Sequence, residues 1–269
     1  MTDELLLEVT GKVAHIRINR QKQMNSIHPG LMKELSALFA KLDNDPNVSV
    51  IVLSGVGSHF GAGYDLKFDW EGTYGREVLG QRKMLQDCVE FEFVPWRCTK
   101  PVIAMVRGFC LAGSCELAMM CCITIASDTS KFGEPEIRFS TSPPVVVMPW
   151  MVGLKKAREL LYTGDLIDAQ EALQVGMINR VYPDAELEAQ TMRLARRMAA
   201  ISLEGLKTTK ASINKGAEIQ GFLQAVDYGV EQGAMLDATE TATLKTFMEI
   251  RGREGLTAAI RWREKQFED

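Results

Sequence analysis

Residues 100–121 read KPVIAMVRGFCLAGSCELAMMC, and this stretch decides the architecture. Its first part, KPVIAMVRG, is an apolar run of the kind that makes a strand buried on both faces. Small residues then crowd together at Ala112, Gly113, Ser114 and Cys115, and a single carboxylate, Glu116, opens an apolar run that reads as a helix. Gly113 and Ser114 fall at the helix start, where backbone N–H groups have no intrahelical partner. Those donors and the helix dipole can hold a developing oxyanion. Glu116 therefore has two readings. It is a first-turn acid favoured by the dipole or by a capping box, or it is a catalytic group beside an anion-stabilising site.

The strand-then-helix pattern extends in both directions. LLLEV and VAHIRIN are strand-like runs separated by a Gly11-Lys12 turn. Residues 24–46 read as a helix, with Leu31, Leu35, Leu38, Phe39 and Leu42 at helical spacing, Pro29 in the first turn and Asp45-Pro46 at the end. VSVIVLSG, closed by Gly55, and CITIAS, residues 122–127, are further buried strands. Strands alternating with helices predict an α/β fold. Beyond residue 150 the pattern changes. VGLKKARELLYTG reads as a helix stopped at Gly164, DAQEALQVG carries a capping box with Asp168 as N-cap and Glu171 three residues on, and MINRVY reads as a last strand. From Asp184 onward the chain reads as helix with short breaks, a strandless tail of the kind used for oligomerisation or as a lid.

Composition narrows the function classes. The 269 residues carry a net charge of −4 and no basic run, which argues against a nucleic-acid binder. No stretch reaches the ~18 apolar residues of a membrane span, and the N-terminus has no signal-peptide pattern. Six cysteines, none in a Cys-x-x-Cys pair, suggest buried, reduced thiols rather than zinc or redox use. These features together predict a cytoplasmic protein.

Two further segments could carry chemistry. GSHFGAGYDLK, residues 57–67, follows a buried strand and holds Gly57, Gly61 and Gly63. Glycines there permit positive φ and close approach of a ligand to the backbone, although an ordinary glycine-rich turn would look the same. The spacing from Gly55 is one residue too long for a dinucleotide fingerprint. KFGEPEIRF, residues 131–139, reads as a proline-stiffened loop in which Glu134 and Glu136 flank Pro135: a second acid–base group, or a solvated turn. There is no Gly-x-Ser-x-Gly, and His15, His28 and His59 are scattered. His15 and His28 suit structural roles, and His59 adjoins the glycine loop and could line a pocket.

Taken in order, FGAGYDLK, KPVIAMVRGFCLAGSCELAMMC, FGEPEI and LLYTGDLIDAQEALQVGMINRV resemble the enoyl-CoA hydratase/isomerase family, the crotonase superfamily. The resemblance is collinear from about residue 5 to 200. It implies a spiral of β-β-α turns, with residues 1–200 as the acyl-CoA-binding catalytic core and 201–269 as a helical region that forms trimers, which pair into hexamers. It implies an acyl-CoA thioester as substrate and no separate cofactor, CoA being part of that substrate. It assigns the oxyanion donors to the N–H groups of Ala62 and Gly113, and a water-holding carboxylate pair to Glu116 (water activation) and Glu136 (proton donation at the α-carbon). CoA is expected along Lys22, Gln23 and Met24 and along Ala62, Gly63, Tyr64, Asp65 and Leu66, with Lys265 and Phe267 reaching it across a subunit boundary.

The chain departs from the family pattern in places. STSPPVVVMPW, with Pro143, Pro144 and three valines, replaces a glycine-rich loop and implies a stiffer, more apolar wall over the site. Tyr64 replaces a small residue and could narrow or line the pocket. The retained Glu pair favours hydration of a 2-enoyl-CoA. An isomerase, or a hydrolase or lyase using the same oxyanion hole, is the alternative within the fold, and a non-catalytic acyl-CoA-binding scaffold is the alternative outside enzymes.

Overall fold

The computed structural model describes residues 3–141 and 143–267. Nine strands run β1 (Leu5–Thr10), β2 (Val13–Ile18), β3 (Val50–Gly55), β4 (Val102–Val106), β5 (Phe109–Leu111), β6 (Ile123–Ser127), β7 (Lys131–Gly133), β8 (Ile167–Asp168) and β9 (Arg180–Tyr182). The helices are α1 (Pro29–Asp43), α2 (Trp70–Tyr74), α3 (Val78–Glu92), α4 (Val94–Arg97), α5 (Gly113–Met119), α6 (Met148–Thr163), α7 (Ala169–Gln174), α8 (Leu187–Ala199), α9 (Leu203–Ile219), α10 (Phe222–Asp237), α11 (Ala242–Glu254) and α12 (Leu256–Glu264).

Six strands form one sheet in the order β1-β2-β3-β4-β6-β9, antiparallel between β1 and β2 and parallel thereafter. The continuous apolar runs follow from burial on both faces. Ile51, Leu53, Val102 and Ala104 point into the larger core with α1, α3 and α5. Their alternating neighbours Val50, Val52, Ile103 and Met105 point into a second core closed by Leu187, Ala195 and Ala199 of α8.

A small second sheet, β5-β7-β8, positions the site. Parallel β5 and β7 pair Leu111 with Gly133, and the Ala112 N–H extends the ladder to the Gly133 carbonyl at 2.8 Å. The next residue on one strand starts α5. The next on the other starts the turn that bears Glu134 and Glu136.

Two local expectations change. KFGEPEIRF is not a loop but strand β7 followed by a 3₁₀ helix, Pro135–Phe139. The helix expected from residue 152 begins at Met148 and is broken at Gly153, whose φ of 77° is open only to a residue without a Cβ. The Asp168 cap holds, its Oδ1 accepting from the Glu171 N–H at 2.9 Å. All six cysteines are free; five are buried and Cys122 is exposed, against the expectation of six buried thiols. Among the described residues no helix is long and apolar enough to cross a membrane.

Candidate active site

Four carboxyls meet under the second sheet. Glu116 in α5 and Glu92 at the end of α3 are fully buried, Glu134 is 1% exposed and Glu136 8% exposed. Glu116 Oε1 accepts the Val145 N–H at 2.6 Å, and Glu92 Oε1 accepts the Tyr64 phenol at 2.5 Å. The second oxygen of each, and both oxygens of Glu134 and of Glu136, have no partner among the described residues. Burial pushes all four carboxyls up, Glu136 to about 8. Mutual repulsion, together with Asp237 facing Glu136, adds to the rise, and no cation figures among the causes. Carboxyls crowded in this way resist ionising together and share protons, and Glu136, raised to about 8, is an acid that can donate.

The loop before them presents backbone donors, and an account of its N–H groups shows which are free. Gly61 donates to Phe109, Ala62 to Met24 at 3.0 Å, and Asp65 to Ile27. Gly63, at φ 82°, donates to Ser114 Oγ at 3.1 Å. Of the N–H groups from Gly61 to Asp65, only that of Tyr64 is left without a partner among the described residues. Ala62 is therefore not the oxyanion donor expected from the sequence: its N–H is consumed in holding the Met24 turn, and the free donor lies two residues on. Gly113 N–H, at the start of α5, is unpartnered as expected. The two segments touch, since a Cβ on Gly113 would lie 2.4 Å from the Tyr64 ring and 2.9 Å from Glu92 Oε1.

The loop is held from behind. Buried Asn25 accepts the Arg20 N–H and donates to the carbonyls of Val56 and His59. His59 is part of this frame: its Nδ1 accepts from Phe109 N–H and its ring stacks on Phe109. His15 bonds Ser54 Oγ at 2.8 Å, and His28 caps α1.

The residues expected along CoA divide. Lys22, Gln23 and Met24 lie exposed on a turn beside the donor loop, Met24 at φ 52°. Asp65 instead anchors that loop. It pairs with Arg20 at 3.1 Å and accepts the Lys67 N–H, contacts that hold its carboxyl below the usual range despite some burial. Leu66 is exposed, and its carbonyl accepts from Arg251 of α11. Lys265 follows α12, and Phe267 lies under the Arg138 guanidinium, 4.3 Å away. Sequence reasoning missed Glu92 altogether. Its signal was present, because Leu85, Cys88 and Glu92 recur at i, i+3, i+7, which places an acid on the apolar face of α3.

A family model described as enoyl-CoA hydratase/isomerase matches residues 8–268. The chain belongs to the enoyl-CoA hydratase/isomerase family. It is an enzyme of that class and has the crotonase fold. A crystal structure of an enoyl-CoA hydratase/isomerase from Xanthobacter autotrophicus Py2 superimposes with a TM-score of 0.96 at 36% identity, covering all of both chains. The crotonyl-CoA hydratase of Syntrophomonas wolfei is 31% identical over 98% of each chain. The short-chain-enoyl-CoA hydratase of Clostridium acetobutylicum is 32% identical over 80% of this chain and 83% of its own.

Proposed function

We propose that this family member adds water to a 2-enoyl-CoA thioester to give the 3-hydroxyacyl-CoA, with CoA supplied by the substrate and no separate cofactor. One observation carries the reading: the buried pair Glu116 and Glu136 stands beside two free backbone donors, Tyr64 N–H and Gly113 N–H. The thioester oxygen accepts both N–H groups, which are fixed by the loop and the helix start and need no reorganisation as enolate charge grows. Glu116 takes a proton from water as its oxygen attacks the β-carbon; the Val145 N–H on Oε1 favours the anion this requires. Glu136, a carboxyl raised to about 8, returns a proton to the α-carbon. Relatives named as short-chain-enoyl-CoA and crotonyl-CoA hydratases support the reading.

The same reading places CoA along residues 22–24 and the exposed edge at Leu66. It places the enzyme in the cytoplasm as a trimer or a pair of trimers, with Lys265 and Phe267 serving a neighbouring subunit. Exposed Tyr162, Ile213, Ile219 and Tyr228 support assembly, since a chain with so much apolar surface on its helices gains by burying it.

The test is a panel of 2-enoyl-CoA thioesters with product mass as the readout. The expected product is heavier by one water. Glu116→Gln and Glu136→Gln are each expected to lower kcat by ~10²–10⁴-fold. No hydration of any thioester, or undiminished hydration by both variants, refutes the reading.

A further inference from the structure

We propose that Glu92 is a positioning carboxyl of this site: protonated, it accepts the Tyr64 phenol at Oε1 and donates from Oε2 to Glu116, holding Glu116 as the acceptor that takes the proton from water. The inference deepens the hydratase reading and rests on it for the role of Glu116.

The geometry is specific. Glu92 ends α3, and its side chain is fully enclosed. Oε1 receives the Tyr64 hydroxyl at 2.5 Å and lies 2.9 Å from where a Cβ on Gly113 would stand, directly over a proposed oxyanion donor. Glu92 Oε2 and Glu116 Oε2 are both buried without other partners, while the first oxygen of each is fixed, by Tyr64 and by Val145 N–H. Helices α3 and α5, which carry the two carboxyls, pack against each other, and the Glu92 carboxyl beside Glu116 adds to the rise of the Glu116 carboxyl. A carboxylate has no hydrogen to give, so two ionised carboxyls would leave both inner oxygens unsatisfied and mutually repelling. One shared proton satisfies both.

That proton belongs on Glu92. Its helix ends there, and the negative end of the dipole disfavours an anion. Glu116 sits in the first turn of its own helix and also has a backbone donor. Tyr64 then has a definite task. Its ring lies against Gly113 and edge-on to Trp70, which aims the hydroxyl at Glu92 and leaves the backbone N–H of Tyr64 itself for the thioester.

Infrared difference spectroscopy on the whole protein tests the charge state without turnover. The wild type should show the carbonyl stretch of a protonated carboxyl at neutral pH. Glu92→Gln should remove that band, and Glu116→Gln should shift it by changing what Glu92 donates to. Absence of a band sensitive to Glu92→Gln, or a band unmoved by Glu116→Gln, overturns the proposal even if hydration is confirmed. If the wild type hydrates nothing while both band effects appear, the hydratase reading alone fails.

Steady-state rates on the best enoyl-CoA add a second readout. Glutamine keeps a neutral acceptor and donor, so Glu92→Gln should lose less than about tenfold in kcat. Glu92→Leu should lose ~10²-fold in kcat, the scale of a catalytic group misplaced by about 1 Å, with KM little changed. Equal losses in the two variants would mean that Glu92 itself passes a proton, and would overturn the positioning role. Should Glu92→Leu fail to fold, Tyr64→Phe, which removes only the hydroxyl, must shift the band and lower kcat with KM little changed; no effect on either counts against the proposal.

Discussion

At the scale of single residues, Gly113 and Ala112 do opposite things to the backbone. Gly113 lets Tyr64 and Glu92 come within contact of its α-carbon. In Gly113→Ala the new methyl would meet the ring at 2.4 Å. The variant is expected to lose ~1–3 kcal/mol of stability and ~10²-fold in kcat/KM, measured by denaturant unfolding and by hydration assays. An unchanged kcat/KM would count against Gly113 as an oxyanion donor. Ala112 carries a Cβ at φ 54°, ψ −139°, a region that suits glycine. Strain of this kind costs about 1–3 kcal/mol and gathers at functional sites. Ala112→Gly is therefore expected to raise stability by ~1 kcal/mol after the extra flexibility of unfolded glycine is subtracted. A melting temperature lower than wild type would show the strain to be absent.

At the scale of elements, the short pair β5 and β7 does what neither segment shows by itself. Register between Leu111 and Gly133 sets the start of α5 against the 3₁₀ helix and so brings Glu116 to Glu134 and Glu136. The sequence reading found both segments but treated the second as a loop, because three residues are too few to show alternation. Local signals were legible where the chemistry is local. The Asp168 box is an example, and Asp168→Ala is expected to cost about 1 kcal/mol through loss of the bond to Glu171 N–H. A difference near zero in thermal unfolding would mean that water replaces the cap. The donor loop was legible only in part. FGAGYD marked it, but which N–H stays free depends on Met24, Ile27 and Ser114, partners far away in the chain.

At the scale of the whole molecule, the helical tail takes part in the core. Phe222 and Val226 of α10 join the larger cluster, Trp150 packs edge-on to Phe222, and Asp237 accepts the Thr141 hydroxyl. The apolar wall over Glu116 is thus braced from the tail. The buried carboxyls set a pH dependence for the whole fold. A carboxyl raised from 4.5 to about 8 on folding, as in Glu136, binds protons that the unfolded chain has released. Its stabilising contribution is complete below about pH 4.5 and lost as pH rises through about 8. Glu92, Glu116 and Glu134 shift the same way. Urea midpoints should fall between about pH 6 and about pH 9, and less steeply in Glu136→Gln. A flat or rising profile would show the carboxyls to be compensated. Sedimentation at a multiple of the 29.9 kDa chain mass checks assembly, with a monomer as the opposing result.

What the sequence determined by itself is what short-range periodicity and backbone chemistry can encode. This covers the buried parallel strands, the capped helices, the glycine-rich donor loop, and the order of motifs that points to the family. Glu116 and Glu136 were readable because each sits in such a motif. Only the tertiary structure decided that Tyr64 rather than Ala62 offers a free N–H, and that Glu92 faces Glu116. A hydrogen bond consumed by a distant carbonyl, and a carboxyl stripped of water by helices from separate parts of the chain, are properties of packing. No window of neighbouring residues contains them.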